Sequence, residues 1–364
     1  MNKIKAFLAR KGVVCSFRQY GVDALGAMAQ GLFCTLLVGT ILNTLGQQLH
    51  IGFLTAPVVS VGTVSYTVGG LASAMVGPGI AVAIGTALHC PPLVLFSLIP
   101  VGFAANAMGG AGGPLAVYAV TIIAAELGKL VSKETRIDIL VTPCVTVIAG
   151  IAVAQLIAAP IGTAARAVGL AIMWATELQP FFMGVLVSAL IGIALTLPIS
   201  SAAICAAFGL TGLAGGAAVA GCCAHMVGFA VMSFKENRWG GLVAQGVGTS
   251  MLQMPNILKN PRIWIPPTLA SMITGPLATC VFKLQMNGSP VSSGMGTCGF
   301  VGQIGVYTGW VSDIAAGTKA AITPMDWIGL VLICFILPAV LSTLFCRVLE
   351  KRGWIREGDM KLDL

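Results

Sequence analysis

From Ala24 to Ala125 the chain carries no Asp, Glu, Lys or Arg. Soluble domains draw about a quarter of their residues from those four types, so a run of this length cannot supply a water-facing surface. At ~20 residues per crossing it suffices for about four passages through a bilayer. A second charge-free run covers residues 178–234. Over the whole chain 57% of residues are hydrophobic, 9% are charged, and mean hydropathy is +0.95. Short segments of alternating polarity, the mark of a transmembrane barrel, are missing. The sequence predicts an all-α polytopic membrane protein.

The charges gather at the ends. Lys3, Lys5, Arg10, Lys11 and Arg18 precede the first apolar run, and Arg347, Lys351, Arg352, Arg356 and Lys361 follow the last. Basic flanks mark the cytoplasmic side, which places both termini in the cytoplasm and makes the number of crossings even. The net charge of +8 comes from these flanks and is no nucleic-acid signature. Residues 1–20 read as a basic amphipathic helix on the membrane surface, and residues 347–364 as a basic cytoplasmic tail. The first apolar run lacks the small-residue cleavage motif of a signal peptide. Eleven cysteines lie scattered, without a Cys-x-x-Cys pair. Adjacent Cys222 and Cys223 read as small packing residues. No metal and no cofactor is expected.

In chain order, spans are predicted at about 24–45, 54–76, 79–105, 114–131, 139–160, 181–199, 268–284 and 327–346. The third is broken at His89–Pro92, where two prolines remove backbone donors. Asn106–Pro114, NAMGGAGGP, reads as a turn between spans or as a backbone loop whose amides face a ligand. Arg166–Glu177 reads as an interfacial helix. Residues 200–221 and 292–312 are rich in Gly and Ala and read as discontinuous helices or hairpins. Such backbone survives at membrane depth only where protein or a water-filled cavity covers it. The total is about ten crossings with one or two re-entrant hairpins. The first half, residues 21–176, is smoothly apolar and reads as scaffold and dimer interface. The second, residues 177–346, holds the internal polar groups and reads as the solute-handling half.

Polar side chains at membrane depth are functional candidates, since even low estimates put a central charge at about 2.5–3.5 kcal/mol. They concentrate between Cys222 and Pro267. His225 stands among apolar residues, either as a packing group or as a hydrogen-bonding and proton site. Glu236 and Asn237 lie between Lys235 and Arg238, a cluster that also suits a turn at the membrane surface. A Glu236 carboxylate can accept two hydroxyl hydrogens or hold a cation. Gln253 and Asn256 frame a proline that frees a carbonyl. Gln303 sits near the centre of the second Gly-rich segment. Ser200 and Ser201 follow a Leu-Pro-Ile break, and Glu177 and Gln179 either contact solute or anchor a helix end. The H-E-x-x-H and G-x-S-x-G words of hydrolases are missing, and His50, His89 and His225 are far apart, so transport is favoured over catalysis.

The words TELQPFFMG, TLPISSAAI, GFAVMSFKENRWGGLVAQGVGTSMLQMPNILKNPRIWIPPTLAS and GMGTCGFVGQIG resemble the membrane-embedded IIC-type family that includes the perfringolysin-regulator-like proteins, also described as toxin regulators. That family is grouped with the sugar permeases of the phosphotransferase system. The resemblance implies a homodimer in a bacterial plasma membrane, about ten spans, an interface domain, and a substrate domain with two hairpins that moves as an elevator. In sugar permeases of this kind a His and a Glu hold the substrate. His225 and Glu236 stand nearest to those roles, although the G-I-T-E-P word is missing here. No fused IIA or IIB domain is expected. Three functions remain open: a IIC-type permease for a small polar solute, a membrane sensor that signals to a regulator, and a phosphoryl-coupled sugar permease with separate IIA and IIB partners.

Overall fold

The computed structural model describes residues 7, 8, 10–13 and 16–362. Most of the expected N-terminal amphipathic helix therefore lies outside the described residues. Contacts divide the chain into two compact units, Met1–Ala164 and Ala165–Leu364.

In the first unit a long helix, Arg18–Gln48, carries the first crossing. The next expected span, 54–76, does not form as such. Its first part is a β-hairpin, with Val59–Val61 pairing antiparallel to Val64–Tyr66 in the register Val59↔Tyr66. Val-Ser-Val and Val-Ser-Tyr alternate with a period of two, which suits a strand and not a helix, and Gly62 takes the positive φ of +60° that the turn needs. After one helical turn at Gly52–Thr55 and this hairpin, helix resumes at Val68, where the Thr67 side chain accepts a hydrogen bond from Gly70 N. It bends by 54° into Val76–Ala87.

The break at His89–Pro92 is real, but it separates two helices instead of interrupting one span. A Cβ on Gly77 would meet Gly102, and one on Gly85 would meet Leu95 and Leu98. Pro92–Gly109 therefore runs back antiparallel along Val76–Ala87. The Gly-rich stretch is the expected turn, with a 3-10 turn at Gly110–Gly112. Gly113–Val131 then folds back, so that Gly128 faces Val94. Asp138–Thr176 is one helix of 39 residues. It continues through Pro143 and Pro160 and absorbs the segment 166–176 expected as a separate interfacial helix.

The second unit is built around Gly212–Met232, which is buried along nearly its whole length. Pro180–Thr196, Ile265–Pro276 and Leu337–Lys351 surround it. Small residues set the spacing: a Cβ on Gly221 would strike the Ser188 backbone, and one on Gly228 would meet Pro267 and Ser342. Without a hydrophobic drive in lipid, helices gain chiefly from such close packing. Residues 200–221 are discontinuous, as read, but the break falls at 208–211, between Ser201–Ala207 and Gly212, with Gly209 and Gly212 at positive φ. Residues 292–312 are also discontinuous. Pro290–Ser293 is followed by turns and then by Val301–Ala315. The two broken segments hold each other, since Ser201 Oγ donates to Gly294 O at 2.7 Å.

Among the described residues, five helical segments are long and apolar enough to cross a membrane, or six if the bent pair is one span. One of them, Pro92–Val131, is the hairpin just described. The chain is an all-α polytopic membrane protein apart from its two-stranded hairpin.

Candidate functional site: a polar seam on the buried helix

His225 lies in the middle of Gly212–Met232 and is fully buried. Its Nδ1 is 3.0 Å from Thr196 Oγ1 and 3.3 Å from Trp264 Nε1. An indole N–H can only donate, so Nδ1 accepts and the ring proton resides on Nε2. That Nε2 is buried without a hydrogen-bond partner. It faces Gly192, where an added Cβ would come within 2.8 Å.

Thr196 passes the network on. Its Oγ1 is 2.9 Å from Ser250 Oγ. Ser250 opens a 3-10 turn, Ser250–Gln253, that Thr249 caps by accepting from Met251 N. Pro255, near the start of Met254–Lys259, ends that turn and begins the next helix. The turn is what aims Ser250 at Thr196 and Gln253 at Gln245. Gln253 Nε2 donates to Gln245 Oε1 at 2.8 Å, and Gln245 Nε2 donates to Ser233 Oγ at 2.8 Å. Asn256 Nδ2 donates to Gln253 Oε1 at 2.9 Å. Ser233, Gln245, Ser250 and Gln253 are all fully buried. A buried amide left unmade would cost about 1–3 kcal/mol, and here each finds a partner.

Where the sequence places a solute, the structure places the chain's own tail. Asn237 Nδ2 and Gln253 Nε2 both donate to Met360 O, at 2.8 and 3.0 Å. Met360 N donates to Glu236 Oε2 at 3.1 Å. Asn256 Nδ2 donates to Lys361 O at 2.8 Å, and Leu362 N donates to Asn237 Oδ1 at 2.8 Å. The expected basic cytoplasmic tail is thus not free; Met360 and Ile355 are 2% exposed. Glu236 itself is half-buried. Burial pushes its carboxyl above the usual range, Asp359 and Glu357 push the same way, and the N–H groups of Gly358 and Met360 pull against them.

The structure therefore brings Glu236, Asn237, Gln253 and Asn256 together and links them through Ser250 and Thr196 toward His225. The other candidates stand apart. Gln303 lies on a different side of the buried helix, with Nε2 3.2 Å from Cys223 Sγ and a buried, unpartnered Oε1. Ser201 ties the two broken segments, and Ser200 caps Ser201–Ala207 through Ala203 N. Glu177 and Gln179 are exposed at the start of Pro180–Thr196, and Gln179 makes no side-chain cap there. Lys235 and Arg238 are exposed. Thr196, Ser250, Trp264 and Met360 had no polar pattern around them that marked them in the sequence. The tail did carry a signal: Glu357, Asp359 and Asp363 interrupt its basic run, and Ile355 and Met360 are apolar anchors. Among the described residues no group of three His, Cys, Asp or Glu side chains could hold a metal ion.

Residues 22–362 match the profile of the family described as Phosphotransferase system, EIIC. The chain belongs to that family. No curated protein and no solved structure matches it. Membership makes this EIIC protein a phosphotransferase-type membrane permease in general terms. The matched region runs through Leu362, so the docked tail is part of the EIIC region and not an appendage to it.

Proposed function

We propose that this EIIC protein is a permease for a small polar solute, a sugar or sugar-like molecule, moved by an elevator mechanism. It would act as a homodimer of about ten spans with one or two hairpins, in a bacterial plasma membrane with both termini cytoplasmic. In this reading residues 21–176 serve as scaffold and residues 177–346 carry the solute. The contacts are His225, Glu236, Asn237, Gln253 and Asn256, with Gln303 as an outlying acceptor.

The observation that supports this reading is the unpartnered Nε2 of His225 at full burial. Buried polar groups in native proteins nearly always have partners, and those that lack one call for an explanation such as a ligand. Below it, amides and a carboxylate already grip alternating carbonyl and N–H groups of the tail. Sugar hydroxyls both donate and accept and would satisfy the same atoms. A sensor reading has one observation in its favour, because a tail docked on the seam can report occupancy. Phosphoryl coupling through separate IIA and IIB proteins is the third reading.

Uptake of labelled glucose, galactose and mannitol into proteoliposomes tests the proposal. Saturable uptake without added partners supports the permease. Uptake that requires phosphoenolpyruvate with IIA and IIB proteins supports phosphoryl coupling. Binding without uptake moves the assignment to a sensor.

A further inference from the structure

We propose that residues 357–362 are a tethered competitor for the solute site: the tail segment occupies the polar seam, and solute binds only when that segment leaves. This rests on the permease reading and adds its regulation.

The contacts fit an occupant better than a fixed strut. The hydrogen bonds between the seam and Met360, Lys361 and Leu362 all go to main-chain atoms of the tail. Asn237 receives Leu362 N and donates to Met360 O; Glu236 receives Met360 N; Gln253 donates to Met360 O and Asn256 to Lys361 O. What the seam recognises is a row of alternating donors and acceptors. If the tail is lifted, those amides and that carboxylate lose these partners together. They then face the vacated space as a ready set of donors and acceptors, and a polyhydroxylated solute has the matching groups.

The tether permits the exchange. The last helix ends at Lys351, and Gly353 and Gly358 sit at φ +71° and +95°. Substituted side chains avoid that region, whereas glycine moves into and out of it freely. Nothing lies within 4 Å of a Cβ placed at either glycine, so neither is held by packing. The stretch between Lys351 and Met360 reaches on the order of 30 Å when extended, far enough to clear the seam while staying attached. Two outer contacts give the tail a place to hold: Asn260 Nδ2 donates to Trp354 O at 2.9 Å, and the Arg262 guanidinium lies 5.2 Å from the Trp354 ring centroid. A short tether keeps the segment at an effective concentration on the order of millimolar. A solute must outcompete it, and apparent affinity falls by the fraction of time the seam is open.

The test compares the full chain, a form lacking residues 357–364, and two full-length variants, Leu362→Pro and Met360→Gly. The first point variant removes the N–H that Asn237 accepts, and the second removes the buried side chain; both leave the helices intact. Binding and proteoliposome uptake of labelled glucose, galactose and mannitol are measured for each. A synthetic peptide of residues 352–364 is then added to the shortened form. The proposal expects about tenfold tighter apparent binding in the shortened form, corresponding to a seam open about one-tenth of the time. It expects a smaller gain in the point variants, and loss of the gain when the peptide is added. Equal binding and uptake by the full and shortened chains, unaffected by peptide, overturns the competitor and leaves the permease standing. Lower binding in the shortened form and the point variants, with the peptide restoring it in the shortened form, shows the tail to be a strut and also overturns the proposal. If none of the sugars binds or crosses with any form, while the peptide still binds the shortened one, the permease reading fails and takes the competitor with it.

Discussion

Trp264 Nε1 points its hydrogen at Nδ1 of His225, 3.3 Å away. That contact fixes the tautomer, because an indole cannot accept and the imidazole nitrogen facing it therefore must. The ring is left presenting its Nε2 hydrogen toward Gly192, inside a helix core, without a hydrogen-bond partner.

Gly192 is therefore the residue against which the His225 ring packs. Gly192→Ala places a methyl group within 2.8 Å of Nε2 and closer still to the ring carbon beside it. Overpacking of this kind costs about 1–3 kcal/mol. We expect a lower Tm in detergent and a loss of sugar binding comparable to that of His225→Ala. Normal binding by Gly192→Ala would remove Nε2 from the site.

Gln253 connects Gln245 to Asn256 and to the tail. Gln253→Ala leaves the Gln245 carbonyl oxygen and an Asn256 amide hydrogen without their present partners. At about 1–3 kcal/mol for each buried group left unpaired, Tm should fall by several degrees. Hydrogen exchange at Met360 and Leu362 should quicken as the tail loosens. Unchanged exchange at those two amides would show that Gln253 does not hold the tail.

Glu236 gives a pH dependence with a definite sign. Burial raises its carboxyl, with Asp359 and Glu357 facing it from the tail, while the Gly358 and Met360 N–H groups oppose the rise. Cys346 of the last helix also faces it. A carboxyl raised in the folded state stabilises that state when protonated. The stabilisation is complete below the ordinary value of 4.5 and is lost as pH climbs through the raised one. Glu236→Gln keeps an oxygen for Met360 N and does not titrate. The Tm of the variant minus that of the parent should increase as pH rises from about 4 to about 7. A flat or falling difference would contradict the assignment.

A buried pair in the first unit offers an independent check on the fold. Lys129 is 2% exposed, lies 2.8 Å from Glu126 Oε1, and donates to Leu88 O and Gly12 O at 3.3 and 3.1 Å. Lys129→Ala strands the Glu126 carboxylate, an effect worth roughly 3–5 kcal/mol. Lys129→Met combined with Glu126→Gln removes both charges and should recover most of that loss. A single variant as stable as the parent would contradict the packing of Gly113–Val131 against the break at residues 88–91.

The membrane class was legible in the sequence because a 20-residue apolar run has few other uses. The polar stretch after Cys222 was legible because charge and amide groups are costly among apolar neighbours. Both broken segments could be read from their glycines and prolines. The β-hairpin at 59–66 was hidden because the chain stays apolar through it, and hydropathy does not register a change from helical period to alternation. The doubling back at His89–Pro92 was hidden for a related reason: proline marks a break but not the direction taken after it. The hydrogen bonds that dock Met360 run to its main-chain atoms, which every residue carries, so the acids and the two apolar anchors of the tail were the only side-chain signal of it.

The account stands on solute handling by the seam in the second unit. Its most direct test is sugar uptake by proteoliposomes holding the parent protein or His225→Ala, with labelled glucose, galactose and mannitol. The account predicts saturable uptake of at least one of them by the parent, and loss of that uptake in His225→Ala while the protein remains folded. Uptake by His225→Ala equal to that of the parent, or no uptake by either, would contradict it.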